Sequence, residues 1–376
     1  MSRVLITMNE DASATRKNAF GVTYKVDEHD CLRYASALES LGHDVFFVNW
    51  NDLRGARFER MFHDNEKTFV KPVPLAAIDL VWVYQMEGFY SQLSRFLRMV
   101  EIFERLCPLV INHPATIRHN LGKYYLWDLE HAGVRVIPTY RVDDEVRRRL
   151  AGGERFVLKP IFGERGHGVF LATRPDDLNR IASREEHYIA QRYEPGVRAG
   201  EKSLVFLGFE YQHAVFKHPC PVNADEFRCN ESLGGTVALY EPTAGELAYA
   251  GQVLRAYAAL GCPVHYSRID FIDTDRGPAL MEAELLNPAA FANYSGKGES
   301  FGRSVARYLD GLLAAAKAGA HHAELESLQQ VDEVFRQCRA RIDDAVPVPV
   351  LGEDRAATVD LVDACADQIH RADLQT

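Results

Sequence analysis

No apolar run of about eighteen residues, the length a membrane-spanning helix needs, occurs anywhere in the 376-residue chain. The short apolar run in MSRVLITMNEDAS is too brief for a secretory signal, and no small-residue cleavage site follows it, so a cytoplasmic location is expected. CxxC pairs and Cys/His clusters at zinc spacing are missing. The seven cysteines (Cys31, Cys107, Cys220, Cys229, Cys262, Cys338, Cys365) are scattered and odd in number, which reads as reduced, mostly buried thiols. Positive charge is in deficit: 43 Lys and Arg against 53 Asp and Glu give a formal net charge of -10. That balance argues against a general nucleic-acid or anionic-membrane partner, while a local basic cleft stays open. Internal repeats and low-complexity tracts are also absent. A composition of 47% hydrophobic and 26% charged residues then describes a globular protein long enough for two or three domains.

What is present is concentrated between Ser267 and Pro288, in SRIDFIDTDRGPALMEAELLNP. On an extended strand, alternate side chains share a face, so Arg268 projects with Asp270, and Glu282 with Glu284. The intervening Asp273-Thr274-Asp275-Arg276-Gly277 has the composition of a hairpin turn, which sets the two charged faces side by side. Carboxylates gathered this way repel unless a cation sits among them, and oxygen donors suit magnesium or manganese. Ile269, Phe271, Leu280, Leu285 and Leu286 mark these as buried strands, which speaks against a merely solvated acidic face.

Upstream, strand and helix signals alternate as in a parallel α/β sheet. Strands are expected at 4–7, 45–48, 78–84 and 109–112. A helix over 30–41 would bury Leu32, Ala35, Leu38 and Leu41 and stop at Gly42, and a second over 89–106 would bury Leu93, Phe96, Leu97, Val100 and Phe103. Between Asp52 and Pro74 the periodicity lapses, which reads as a surface connection. A helix over 116–133 carries Lys123. Strands follow at 155–159, 169–173, 187–193, 203–209 and 211–217, the last two as an antiparallel pair, and a helix over 243–260 precedes the charged hairpin. From residue 300 the pattern is helical, and from His321 it is polar and amphipathic.

FVLKPIFGERGHGVFLAT places Lys159 at a strand end, followed by Gly163, Gly166 and Gly168. Glycines let backbone amides approach an anion, and the lysine adds a compact positive charge, a combination that suits a triphosphate. A strand rather than a helix follows, which excludes the dinucleotide fingerprint, and no GK[ST] closes a Walker loop. The histidines at 167, 218 and 265 read as turn or core residues.

Lys123, Lys159, the glycine loop, IAQRYEPGVRAGEKSLVF, EFRCN, RID and EAE stand in an order that resembles the ATP-grasp superfamily from about Thr116 to Gly296. RID with EAE is similar to the signature of D-alanine–D-alanine ligases, and GEKSLVFLGFEYQHAVFKHP to the glutathione-synthetase-like branch, which includes small cyclo-ligases. The resemblance implies an α/β (α+β) ATP-grasp fold. Its parts would be a parallel α/β pre-ATP-grasp domain over 1–115, a small subdomain with the glycine loop over 116–190, an antiparallel-sheet catalytic subdomain over 191–320 and a helical extension over 321–376. It further implies that Lys123, Lys159 and the glycine loop hold the phosphates of ATP, that Gln191 meets adenine beside the backbone of Tyr193 and Glu194, and that Glu201 accepts the ribose hydroxyls. Asp270, Glu282 and Glu284 would hold magnesium or manganese. Asparagine is the commoner residue where Glu284 stands, and Asn287 either supplies that amide or caps the turn before Pro288. Arg268, Arg228 and Lys217 would stabilise charge on the transferred phosphoryl.

The implied activity is ATP-dependent ligation of a small carboxylic acid to an amine through an acyl phosphate, on amino-acid-like substrates of peptide or specialised-metabolite biosynthesis. Intramolecular ring closure, a non-amine nucleophile, and a non-catalytic nucleotide-binding regulator are the alternatives. The expected partners are small molecules, with a homodimer through the tail left open. Specificity is expected in the N-terminal domain, in 52–74 and in 287–298.

Overall fold

The structure is a computed structural model that describes residues 1–8, 15–17, 23–25, 28–221, 223, 226–294 and 296–318. The tail from His321, with Cys338, Cys365 and the dimer contact expected of it, lies outside the described residues.

Val4, Leu5 and Ile6 are fully buried on both faces of the first strand, as a strand covered on two sides requires. That strand, β1 (Arg3–Met8), joins β2 (Asp44–Asn49), β3 (Met61–His63), β4 (Thr68–Val70), β5 (Leu80–Trp82) and β6 (Leu109–Ile111) in one sheet of order β6-β5-β1-β2-β3-β4. β1, β2, β5 and β6 run parallel, as the alternation of strand and helix signals predicts. β3 and β4 are antiparallel additions drawn from the 52–74 segment, which is therefore part of the sheet and not a plain loop. Phe58 and Met61 are buried there. Strands of two or three residues are too short to display a period, which is why the sequence hid them.

α1 (Glu28–Ser40) turns Cys31, Tyr34, Ala35 and Leu38 inward and leaves Leu32 and Leu41 exposed, so its buried stripe is rotated from the expected one. Gly42, at φ +83°, ends it. α2 (Leu93–Leu106) buries Leu93, Phe96, Val100 and Phe103 as expected, with Met99 and Ile102, while Leu97 is only partly covered. The single helix expected over 116–133 is two, α3 (Pro114–Asn120) and α4 (Tyr125–His131). Lys123 sits in the break between them, where its backbone N–H donates to Ile161 O at 3.0 Å.

β7 (Thr139–Arg141), α5 (Asp144–Ala151), β8 (Phe156–Pro160), β9 (Phe170–Ala172) and β10 (Tyr188–Arg192) form a small unit with sheet order β7-β10-β8-β9. The 115/116 and 190/191 divisions expected from sequence thus fall inside α3 and β10. Next come β11 (Glu201–Leu207), β12 (Glu210–His218), β13 (Thr236–Tyr240), α6 (Ala244–Ala259), β14 (Tyr266–Thr274) and β15 (Gly277–Glu284). Their strands form an antiparallel sheet of order β13-β12-β11-β14-β15. Thr243 caps α6 in a reciprocal capping box with Glu246. α7 (Gly298–Lys317) returns to pack on α1.

Two buried asparagines fasten the end of the charged hairpin. Asn112 accepts the N–H groups of His265 and Tyr266 at 2.8 Å and donates to the carbonyls of Tyr266 and Leu285. Asn120 donates to Ala283 O at 2.7 Å and accepts Leu285 N–H at 3.0 Å. β15 is thereby held from behind by segments that follow the first sheet.

Candidate functional site

The four-stranded and five-stranded sheets face each other across a cleft of about 320 Å³. Lys123, Lys159, Gly163, Gly166, Gln191, Glu194, Glu201, Lys217, Arg228, Arg268, Asp270, Glu282, Glu284 and Asn287 all line it, whereas Gly168 and Tyr193 do not.

The floor is the charged hairpin. Arg268 pairs in register with Glu284, and Asp270 with Glu282, with a bulge after Asp270. Asp270 is 2% exposed. Its Oδ1 accepts from Ser203 Oγ at 2.7 Å and Arg268 Nε at 2.9 Å, and its Oδ2 from Arg268 Nη2 at 2.9 Å and Lys217 Nζ at 3.2 Å. Burial would raise this carboxyl, but Arg268 and Lys217 outweigh it and hold it well below the usual carboxylate range. Burial likewise opposes the charge on Arg268, and Asp270, Glu284 and Glu282 restore it. Lys217 is kept charged against burial by Asp270 and by Glu201, with which it forms an ion pair. The Glu201 carboxylate expected at a ribose is thus engaged with Lys217.

Glu282 lies 3.5 Å from Lys123 Nζ, which also donates to Gly163 O at 3.1 Å, so this lysine ties floor to roof. Glu284 accepts Asn287 N–H at 3.1 Å, and burial first, then the Glu282 charge, raises its carboxyl. Lys159 is lowered by burial, with Glu282 opposing and Lys123 adding to the effect.

The roof is the glycine-rich loop. Arg228 Nη1 donates to Gly166 O at 3.0 Å and Val169 O at 3.3 Å, while Nε and Nη2 bind Glu226. This arginine therefore holds the loop, and it lines the same cleft as Arg268 and Lys217. Glu164 accepts Gly88 N–H at 2.7 Å, and Arg165 Nη1 lies 2.5 Å from Glu87. Burial pushes the Glu164 carboxyl up to about 7, with the Gly88 hydrogen bond and Arg165 opposing.

At the other end, Gln191 is buried and donates to Thr139 Oγ1 at 3.3 Å. Glu194 is paired with Arg192. The Tyr193 ring packs beneath Arg155 and against Phe227, and its backbone N–H donates to Arg155 O at 2.8 Å. Sequence reasoning missed the apolar wall here, Ile137, Val157, Val197, Phe227, Ile272 and Met281. Its signal was the alternation itself: Val157 and Ile272 sit two positions from Lys159 and Asp270 on the same strand faces. Ser203 and Glu164 were missed as well, while Phe291, which lines the cleft, lies in the 287–298 segment expected to set specificity.

Among the described residues, no three His, Cys, Asp or Glu side chains form a metal cage. Asp270 is occupied by cations, leaving Glu282 and Glu284 adjacent on the cleft face. Two carboxylates without a closed cage fit magnesium that arrives with phosphates, because magnesium keeps near-octahedral coordination completed by water and phosphate oxygens. No described helix is long and apolar enough to cross a membrane.

No family model matches the chain. Over 183 residues it is 31% identical to glutathione synthetase of Agrobacterium fabrum, a match covering 46% of this chain and 55% of that protein. It is 28% identical over 232 residues to the cycloserine biosynthesis protein DcsG of Streptomyces lavendulae, covering 54% and 74%. The chain thus spans about half the length of the first relative and more of the second. The crystal structure of D-cycloserine synthetase DcsG aligns with a TM-score of 0.63 at 22% identity over 83% of this chain and 99% of that one. A structure of ATP-grasp ligase PsnB complexed with minimal precursor aligns with a TM-score of 0.53 at 14% identity over 82% of this chain and 99% of that one. Two sheets closing on one cleft beneath a glycine-rich loop, together with these likenesses, show that the chain has the fold of these ligase structures.

Proposed function

We propose that the chain is an ADP-forming, ATP-dependent carboxylate-amine ligase. The observation that carries this reading is the convergence of Lys123, Lys159, Lys217 and Arg268 with Glu282 and Glu284 on one cleft that has an apolar wall at its far end. That arrangement suits a nucleotide with its base against the wall and its phosphates among the lysines. Glu282 and Glu284 would hold magnesium, with manganese as the other candidate, and the ion would neutralise phosphate charge during transfer. Lys217 and Arg268, fixed by Asp270, are placed to stabilise charge developing on the phosphoryl as a substrate carboxylate attacks it. The acyl phosphate so formed takes an amine, and amide, ADP and phosphate result. Loop closure excludes water that would otherwise hydrolyse the acyl phosphate.

A screen for ADP release over amino-acid-like carboxylic acids and amines, with products identified by mass spectrometry, tests the reading. Absence of ADP release with every pair, alongside measurable ATP binding, would favour a nucleotide-binding regulator. The likeness to DcsG supports a second reading, intramolecular ring closure, in which ADP release needs one substrate and no added acceptor.

A further inference from the structure

Phe291 has a backbone conformation that its side chain does not favour. Its φ is +53°, in the left-handed region where glycine is at ease and a bulky residue is an outlier. The neighbours hold it there. His213 Nε2 bonds Ala290 O at 2.6 Å, Arg268 Nη1 donates to Ala289 O at 3.3 Å, Tyr294 N–H donates to Phe291 O at 3.0 Å, and Ala290 and Ala292 are fully buried. Strain that the surroundings over-determine in this way points to a use for the side chain.

The ring supplies one. Its centroid lies 5.4 Å from the Arg268 guanidinium carbon and 5.7 Å from Lys217 Nζ, within cation–π range of both. Asp270 holds both cations, with Ala289 O on Arg268 and Glu201 on Lys217 besides, and Phe291 closes over them while lining the cleft. A glycine would relax the backbone but leave both cations open to water, which screens their charge.

We propose that Phe291 is a positioning residue that shields Arg268 and Lys217 and aims their charge at the terminal phosphoryl, so that the cleft prefers a nucleoside triphosphate over a diphosphate. This rests on the nucleotide reading of the cleft. The ring touches the two cations, and the cations meet the phosphoryl.

Magnesium-ATP and magnesium-ADP affinities, measured by titration calorimetry for wild type, Phe291→Leu and Phe291→Tyr, test it. The expected result is that Phe291→Leu weakens ATP about tenfold, leaving ADP affinity nearly unchanged, and that Phe291→Tyr, which keeps an aromatic face, retains the wild-type ratio. An unchanged ratio in Phe291→Leu overturns the proposal. So does an equal loss for both nucleotides, or the same loss in Phe291→Tyr, because either marks a packing role. Wild-type protein that binds neither nucleotide overturns the reading of the cleft, and the positioning role with it.

Discussion

Asp270, on the floor of the cleft, is 2% exposed and bonded to three side chains, Ser203, Lys217 and Arg268, whereas Glu164, in the roof, is held by one backbone N–H from a distant segment. The floor's charges compensate one another before anything binds. The roof's carboxyl is half-buried without a close cation on its own oxygens, and desolvation raises it to about 7. A prearranged floor and a lightly tied roof suit a site in which one wall fixes the reacting groups and the other must open to admit ligand. Each prediction below attacks one side of that contrast.

Removing the floor's central anion carries the largest effect. Asp270→Ala takes from Arg268 its bonded carboxylate and leaves Lys217 with Glu201 alone, and breaking a buried pair in this way costs about 3–5 kcal/mol. Denaturant midpoints should fall accordingly. A loss below about 1 kcal/mol would mean that Arg268 and Lys217 find other partners and that the floor is not prearranged.

Glu282→Gln probes chemistry without stranding a buried cation, because its carboxylate is partly exposed and faces Lys123 at 3.5 Å. If Glu282 holds the phosphate-borne metal as proposed, turnover, read as ADP release, should drop at least about a hundredfold while the melting temperature barely moves, because that oxygen ligand loses its charge. Intact turnover would show that the metal assignment is wrong.

The roof is tested through pH. In an open loop Glu164 titrates near its ordinary 4.5, and in the closed loop near 7. The closed form therefore holds the proton more tightly. Closure is strongest below pH 4.5, weakens as pH rises to about 7 and is constant above. Glu164→Gln keeps an oxygen for Gly88 N–H and removes the titration. Tryptic cleavage after Arg165, compared between wild type and variant at each pH, should differ by only a few-fold near pH 5 and be faster in wild type by on the order of a hundredfold near pH 8. A ratio independent of pH would detach loop closure from this carboxyl.

The contrast also explains what the sequence disclosed. Arg268, Asp270, Glu282 and Glu284 were legible because their shared face follows from alternation within two adjacent strands, a local rule. Lys159 and the glycine loop were legible for the same reason. Lys123 was assigned to a continuous helix because what breaks that helix, its contacts with Ile161 and Gly163, lies about forty residues downstream. Arg228 and Glu201 were recognised as cleft residues, yet the partners of Arg228, the roof carbonyls, depend on how the loop folds over the floor, while Lys217 meets Glu201 through the register of β11 and β12. Nothing local reveals that Arg155 O takes the Tyr193 N–H, a contact set by pairing across the small sheet.

The smallest effect separates two glycines of the roof. Gly168 has φ +69°, and a Cβ there would lie 2.9 Å from the Pro160 ring, which cannot swing aside. At Gly163 a Cβ would meet that ring at 3.4 Å, an ordinary contact, and its φ is not left-handed. Gly168→Ala should therefore cost about 1 kcal/mol, lowering the melting temperature by about 2–4 °C, and Gly163→Ala should lower it by less. Because Gly168 lies outside the cleft and Gly163 lines it, nucleotide affinity should order the two variants the other way, with Gly163→Ala the weaker binder. If Gly168→Ala instead weakened nucleotide binding and left the melt unchanged, the loop's left-handed turn would belong to ligand recognition and not to the shape of the empty roof.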